Sequence, residues 1–493
     1  MSRFVRRRGP ALLVLVLALC LTPHAQSATR ADPNAWTSYG FDNQLGNAVP
    51  TQAFTLGAVP KLRLDWAQQL DGAVFASPLA ANVDGEQLVF AATEEGSVYA
   101  LSAATGEIVW ERNLGTVATP ECGRWGITST GTIDLDRGVI FEISADGLLH
   151  ALALATGEEV PGYPLTLVEN SLYEYVWGGL RIANDRVYVV VASYCNVGPP
   201  GGPMPEGRLI SVPLEAPGSP TTWDPVPGAG NLGGIWGWGG VSIDPDDGRV
   251  FTGVGNSYVW SDECGCYVDN AGYGDRLVSL APDLSSVLDS NSPGIAPTGD
   301  SDFGAAPLLF HPDACPPLAA ANNKDGSLYV WNRNRLSDGP LLRLPLGDGM
   351  AAFVGSPGWS ASKQIVYVAQ SVIREDGRRL GNGVTAWHVD AGCGFRPIWH
   401  ASLGDGNQAT PLLVGNVLFA TGGKPGGFFA LNASTGARLW SFRTEGRTVA
   451  GMISAAGHLF GADTAGALFA FSPPAGVPPA CAPNCFRAHR RPP

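Results

Sequence analysis

Gly96-Ser-Val-Tyr-Ala-Leu-Ser-Ala-Ala-Thr-Gly-Glu-Ile-Val-Trp110 decides the fold, because the chain repeats it as Gly147-Leu-Leu-His-Ala-Leu-Ala-Leu-Ala-Thr-Gly-Glu158 and as Gly427-Phe-Phe-Ala-Leu-Asn-Ala-Ser-Thr-Gly-Ala-Arg-Leu-Trp440. Each copy reads as a hairpin. A Gly opens a β-rich strand, a Thr-Gly pair makes a turn that needs positive φ, and the second strand closes on Trp in two of the three copies. A further short apolar strand precedes each one.

Weaker copies lie at Val187 to Val191 with Gly207-Arg-Leu-Ile-Ser-Val212, and at Val250 to Gly253 with Asp275-Arg-Leu-Val-Ser-Leu280. Others are Gly326-Ser-Leu-Tyr-Val-Trp331, Ile365 to Ala369 with Gly383-Val-Thr-Ala-Trp387, and Leu459 to Ala462 with Gly466-Ala-Leu-Phe-Ala-Phe471. Self-similarity of this kind sets the architecture before any local assignment. With 64 Gly, 39 Pro and no helical period, the eight units predict an all-β, eight-bladed β-propeller of four-stranded antiparallel blades. Radial repetition leaves such a ring only short, protected edges. Trp36 to Leu70 holds a strand ending near Trp66 but no blade of its own, so it is expected to complete the last blade.

The flanks read differently. Arg3, Arg6, Arg7 and Arg8 precede an apolar run, Ala11 to Leu21, too short for a bilayer span. Small residues at Ala25 and Ser27 suit cleavage, so residues 1–27 are expected to be a signal peptide, and Leu19 is too bulky for a lipobox at Cys20. The propeller is expected over 28–473, followed by a loose Pro-rich tail over 474–493. No later stretch reaches membrane-span length, which places the mature chain in the periplasm or outside the cell. A net charge of -13 argues against nucleic acid as a partner.

Loss of Cys20 leaves eight of nine cysteines in an oxidising compartment. Cys122 with Cys195 and Cys315 with Cys393 are the expected bridges, with Cys264/Cys266 and Cys481/Cys485 as local candidates.

The hairpin pattern Ala-Leu-x-Ala-x-Thr-Gly-x-x-x-Trp resembles the pyrroloquinoline quinone (PQQ) repeat of quinoprotein alcohol and polyvinyl alcohol dehydrogenases, over nearly the whole mature chain. The resemblance implies a periplasmic or secreted PQQ-dependent dehydrogenase that oxidises an alcohol or polyol. Its site would be carried by four segments. Trp236-Gly-Trp238-Gly-Gly, followed by Asp244-Pro245, looks like the segment whose Trp floors the quinone, with Trp238 as the match. Asn256, in Gly253-Val-Gly-Asn256, falls on the asparagine that binds calcium beside the quinone. Gly299-Asp-Ser-Asp302-Phe-Gly304 looks like the segment of the catalytic aspartate, with Asp302 as the match and Asp300 as the rival. Lys324, in Asn323-Lys-Asp-Gly326, stands where the family hydrogen-bonds the quinone oxygens. Thr128 and Ser129 are further quinone contacts on this reading. Each position taken alone also fits an ordinary packing or turn role; their order and spacing carry the reading.

The sequence departs from that pattern in two places. The family's glutamate ligand to calcium falls near Cys195, which leaves Glu206, eleven residues on, as the replacement, with Asn256 and Asp302 completing the metal set. The adjacent-cysteine disulfide over the quinone is missing, and a Cys122–Cys195 bridge would cover the same face. No Cys-x-x-Cys-His occurs, so electrons would leave to an external acceptor of the cytochrome c type. Two other classes use such propellers: a cofactor-free protein-interaction or envelope-assembly scaffold, and a carbohydrate binder suggested by Tyr173 to Trp177 and Trp260.

Overall fold

The computed structural model describes residues 34–49, 54–228, 230–294, 301–346, 355–370, 382–404, 409–423 and 426–474, with the backbone at 374–375 and 378–379. The signal peptide, the tail, Asp300 and the Cys481/Cys485 pair lie outside the described residues.

Strand pairing yields eight four-stranded antiparallel sheets, the blades of a propeller. Blade 1 runs Leu79–Val83, Glu86–Ala92, Ser97–Ser102 and Ile108–Asn113 from the axis outwards. Its third strand is buried almost throughout, because each blade is covered on both faces by its neighbours. Its fourth strand buries Trp110 alone. Blade 8 takes three strands from the end of the propeller, Ile453–Ala455, His458–Ala462 and Ala467–Ser472. Its fourth is Arg63–Gln69, antiparallel to the last of these.

The Trp and the Thr-Gly of the repeat prove to be two halves of one joint. The Trp110 indole N–H donates to Leu154 O of blade 2 at 2.8 Å. Its ring lies where a Cβ on Gly157 would come within 2.6 Å, and Gly157 is also left-handed at φ 68°. Only glycine meets both demands. Trp66 on Ala103 and Gly106, and Trp399 on Ala433 and Gly436, repeat the arrangement.

The segment Trp36–Val49 winds through the hub, a feature its sequence did not announce. Trp36 and Ala80 exchange two backbone hydrogen bonds, and Ile133, Ile243, Leu309, Trp359 and Leu413 each donate an amide to Thr37, Asn43, Gln44, Gly46 and Asn47 in turn. Asn43 Nδ2 reaches Ile182 O at 3.3 Å. Those partners are the innermost strands of blades 1 to 7, taken in order. Arg181 of blade 3, fully buried, fastens the segment by donating to Ser38 Oγ, Tyr39 O and Asp42 O. Burial lowers the Arg181 pKa to about 10 and raises that of Asp42.

Three disulfides join Cys122 to Cys195, Cys264 to Cys266 and Cys315 to Cys393, as expected from the sequence. No helix among the described residues is long and apolar enough to cross a membrane.

Candidate active site

The loops that leave blades 3, 4 and 5 enclose a cavity of about 280 Å³. Its polar centre is built by two turns that grip one another. Lys324 follows the strand Leu318–Asn323, and its turn is set by Asn323, whose Oδ1 accepts from the Asp325 amide at 2.9 Å. The Lys324 amide donates to Asp302 O at 2.9 Å, and Asn323 Nδ2 donates to Ser301 O at 2.5 Å. These two bonds hold the Lys324 and Asp302 turns in register.

Lys324 Nζ donates to Asp302 Oδ2 at 2.6 Å, with the lysine side chain 9% and the aspartate 5% exposed. The Asn256 backbone N–H donates to Asp302 Oδ1 at 2.5 Å. The same ammonium lies 5.0 Å from the centroid of the Trp236 ring, a cation–π contact. The far edge of that indole is seated on Gly304, where an added Cβ would come within 2.6 Å. A flat aromatic face, a buried cation and a buried carboxylate therefore share one wall.

Of the residues named from sequence, Asp302, Lys324, Asn256 and Glu206 all line this cavity. Trp238 does not; it packs against Tyr39, Leu45 and Ala306, and Trp236 stands on the wall instead. The cause is a hydrogen-bonded turn from Gly237 to Gly240, with Trp238 at its corner, which breaks the shared facing that residues two apart have in a strand. Thr128 and Ser129 are buried but do not line the cavity. Thr128 bonds the Glu94 carboxylate and the Tyr175 hydroxyl, and Tyr175 stacks at 4.4 Å on Tyr194, which does line it. They form a layer behind the wall.

Trp177, named from sequence only within the aromatic segment Tyr173 to Trp177 of the carbohydrate reading, stands on the wall, and sequence reasoning missed Tyr194 there and an ion pair behind Glu206. Arg208 bonds Glu174, whose side chain is 5% exposed, and Glu174 Oε1 accepts from the Glu206 amide at 3.3 Å. Cys195, bridged to Cys122, also lines the cavity.

The proposed metal set can be tested against these contacts. Calcium takes six to eight oxygen ligands. Both Asp302 oxygens are already engaged by N–H donors, and Glu206 Oε2 lies 3.8 Å from Arg208. Among the described residues no three His, Cys, Asp or Glu side chains cluster as metal ligands do. The donor set does not fit calcium. For a flat quinone, the Trp236 face, the glycine beneath it and the Lys324 ammonium do fit.

A family profile described as outer membrane protein assembly factor BamB, of the PQQ repeat type, matches residues 62–197 and 318–477, more than half of the chain. The chain belongs to this PQQ-type propeller family. Among curated relatives of this PQQ-type propeller, a polyvinylalcohol dehydrogenase of Pseudomonas sp is 23% identical, the match covering 87% of this chain and 71% of the relative. A second polyvinylalcohol dehydrogenase, from Sphingopyxis sp. (strain 113P3), is 23% identical over 84% and 68%. The relatives with a printed activity are dehydrogenases. Among solved structures, quinohemoprotein alcohol dehydrogenase ADHIIG from Pseudomonas putida HK5 superposes with a TM-score of 0.70 at 15% identity, over 90% of this chain and 80% of that one. BamB from Moraxella catarrhalis superposes with 0.52 at 14% identity, over 83% and 97%.

Proposed function

We propose that this chain is a periplasmic or secreted PQQ-dependent dehydrogenase that oxidises an alcohol or polyol and passes electrons to an external acceptor of the cytochrome c type. The observation that carries the reading is the joining of Asp302, Lys324 and Trp236 on one wall of one cavity. The sequence similarity to polyvinylalcohol dehydrogenases points the same way.

Trp236 would be the platform under the cofactor, in the place first assigned to Trp238, with Lys324, Asn256 and Cys195 beside it. When bound, the quinone supplies the acceptor for the hydride that leaves the alcohol carbon. Asp302 is the candidate base for the hydroxyl proton. Lys324 Nζ, 2.6 Å from Asp302 Oδ2, and the Asn256 N–H on Oδ1 fix the orientation of that carboxylate toward the cavity. The cationic role at the site falls to Lys324, and calcium takes no part in this reading.

A second reading, a cofactor-free assembly scaffold, is favoured by the description of the matching family. Calorimetric titration of the metal-stripped full chain with PQQ, with and without calcium and repeated on Lys324→Ala, separates the two. Tight binding that depends on Lys324 and not on calcium is the expected result; no binding moves the assignment to the scaffold.

A further inference from the structure

Among the described residues three large aromatic side chains are exposed, and all three stand on one hairpin: Tyr258 at 38%, Trp260 at 53% and Tyr267 at 45%. The other exposed large apolar residues are aliphatic and scattered around the ring. The hairpin pairs Val259–Ser261 with Cys266–Val268, and the disulfide Cys264–Cys266 closes its tip. Trp260 is directly opposite Tyr267, so both share a face, and Tyr258, two residues before Trp260, shares it too. The Tyr258 and Tyr267 rings stack at 3.9 Å with 6° between planes, and Trp260 meets Tyr267 edge-on at 5.3 Å.

This face adjoins the cavity. Asn256 and Leu232 line the cavity wall; Ser257 bridges Leu232, and the Tyr258 amide donates to Asn231 O at 2.9 Å. The hairpin also carries acceptors: Asp262, which takes the Trp260 indole N–H, and Glu263, while no Lys or Arg occurs between Arg249 and Arg276.

We propose that the Tyr258/Trp260/Tyr267 face holds a sugar ring of an oligosaccharide alcohol whose reacting hydroxyl enters the adjoining cavity, an inference that rests on the dehydrogenase reading. A pyranose presents a flat C–H face and peripheral hydroxyl donors, which match aromatic faces beside carboxylates. A docked protein is the poorer fit: three part-exposed rings offer roughly 300 Å², against about 800 Å² per partner in a stable interface.

The test titrates the full chain, without quinone, with maltohexaose, cellohexaose and chitohexaose, read by tryptophan fluorescence and saturation-transfer NMR, on native protein, Trp260→Ala and the exposed control Leu288→Ala. Binding of one oligosaccharide, weakened about tenfold by Trp260→Ala and unchanged by Leu288→Ala, is expected. In the quinone-loaded enzyme the same variant raises KM for that oligosaccharide and leaves kcat and short-alcohol turnover alone. Absence of binding to the native chain, or equal binding by Trp260→Ala, overturns the proposal. So does a Trp260→Ala loss confined to turnover with a basic cytochrome and absent with a dye acceptor, which would make the face a protein dock. Oligosaccharide binding by a chain that takes no quinone leaves the platform standing and removes the dehydrogenase reading; quinone binding without sugar binding removes the platform alone.

Discussion

The Lys324 ammonium and the Asp302 carboxylate form a largely buried pair at 2.6 Å on the cavity wall, so each is the other's counter-charge. Removing one partner strands the other. Lys324→Ala should cost about 3–5 kcal/mol of stability, seen as a lowered urea midpoint, and Lys324→Met/Asp302→Asn should recover most of it. If the double variant is as unstable as the single one, the two side chains do not act as a pair.

Trp236 and Trp238 are separated by one residue and by their surroundings. Trp236→Ala should weaken PQQ binding about tenfold or more, the worth of a lost aromatic platform, while Trp238→Ala should leave the affinity close to native. Calorimetry on both variants decides the phase, and the reverse pattern restores the assignment read from sequence.

Chelation bears on the cation. Since Lys324 and Arg208 already accompany the carboxylates at the cavity, EDTA should leave PQQ affinity within about twofold, and added calcium should not tighten it. A calcium-dependent rise of about tenfold would show that the loops rearrange to expose oxygen ligands.

Glu142 predicts a pH dependence. It is fully enclosed in blade 2, and burial pushes its pKa up to about 8. A carboxyl that holds its proton more tightly folded than unfolded contributes stability that is complete below its ordinary pKa of 4.5 and is lost as pH rises toward about 8. Glu142→Gln should flatten the stability curve across that window and raise Tm by about 2–4 °C at its upper end. Parallel curves for parent and variant would mean that Glu142 is solvated.

The blade joint can be tested at Gly157. Substitution by Ala would press a Cβ against the Trp110 ring at a left-handed φ, so Gly157→Ala should be more destabilising than Gly162→Ala, which is left-handed but has nothing within 4 Å. Equal losses would mean that backbone strain alone, and not the Trp contact, makes the glycine necessary.

The propeller was legible because the hairpin with its Thr-Gly turn recurs in every strong copy of the repeat, with a closing Trp in two of the three; that the Trp docks on the Thr-Gly turn of the next blade, 44 residues on for Trp110 and Leu154, is seen only in the structure. Asp302, Lys324 and Asn256 were legible for a related reason, since each sits where a blade strand or turn delivers it to one end of the ring. The choice between Trp236 and Trp238 was not, because it turns on a backbone reversal at Gly237–Gly240 that composition does not display. The pairing of Glu174 with Arg208 was missed because 34 residues separate them, and the segments that hold them, Tyr173 to Trp177 and Gly207 to Val212, were read for aromatics and for the repeat and not for charge. The hub winding of Trp36–Val49 leaves no side-chain period, as its bonds run mainly through the backbone at one or two residues per blade.

That winding segment also ties the start of the ring to its far end. It is synthesised before any blade, yet Asn47 bonds Thr410 O and Pro411 O, more than 360 residues later, and Tyr39 bonds the Thr410 hydroxyl. The bonds of Asn47 and of the Tyr39 hydroxyl are complete only when blade 7 is present. A chain cut anywhere before that point keeps an axle with no complete wheel around it. No front half of this ring supplies every partner of that segment: a fragment ending before Thr410 lacks the acceptors of Asn47 Nδ2 and the partner of the Tyr39 hydroxyl.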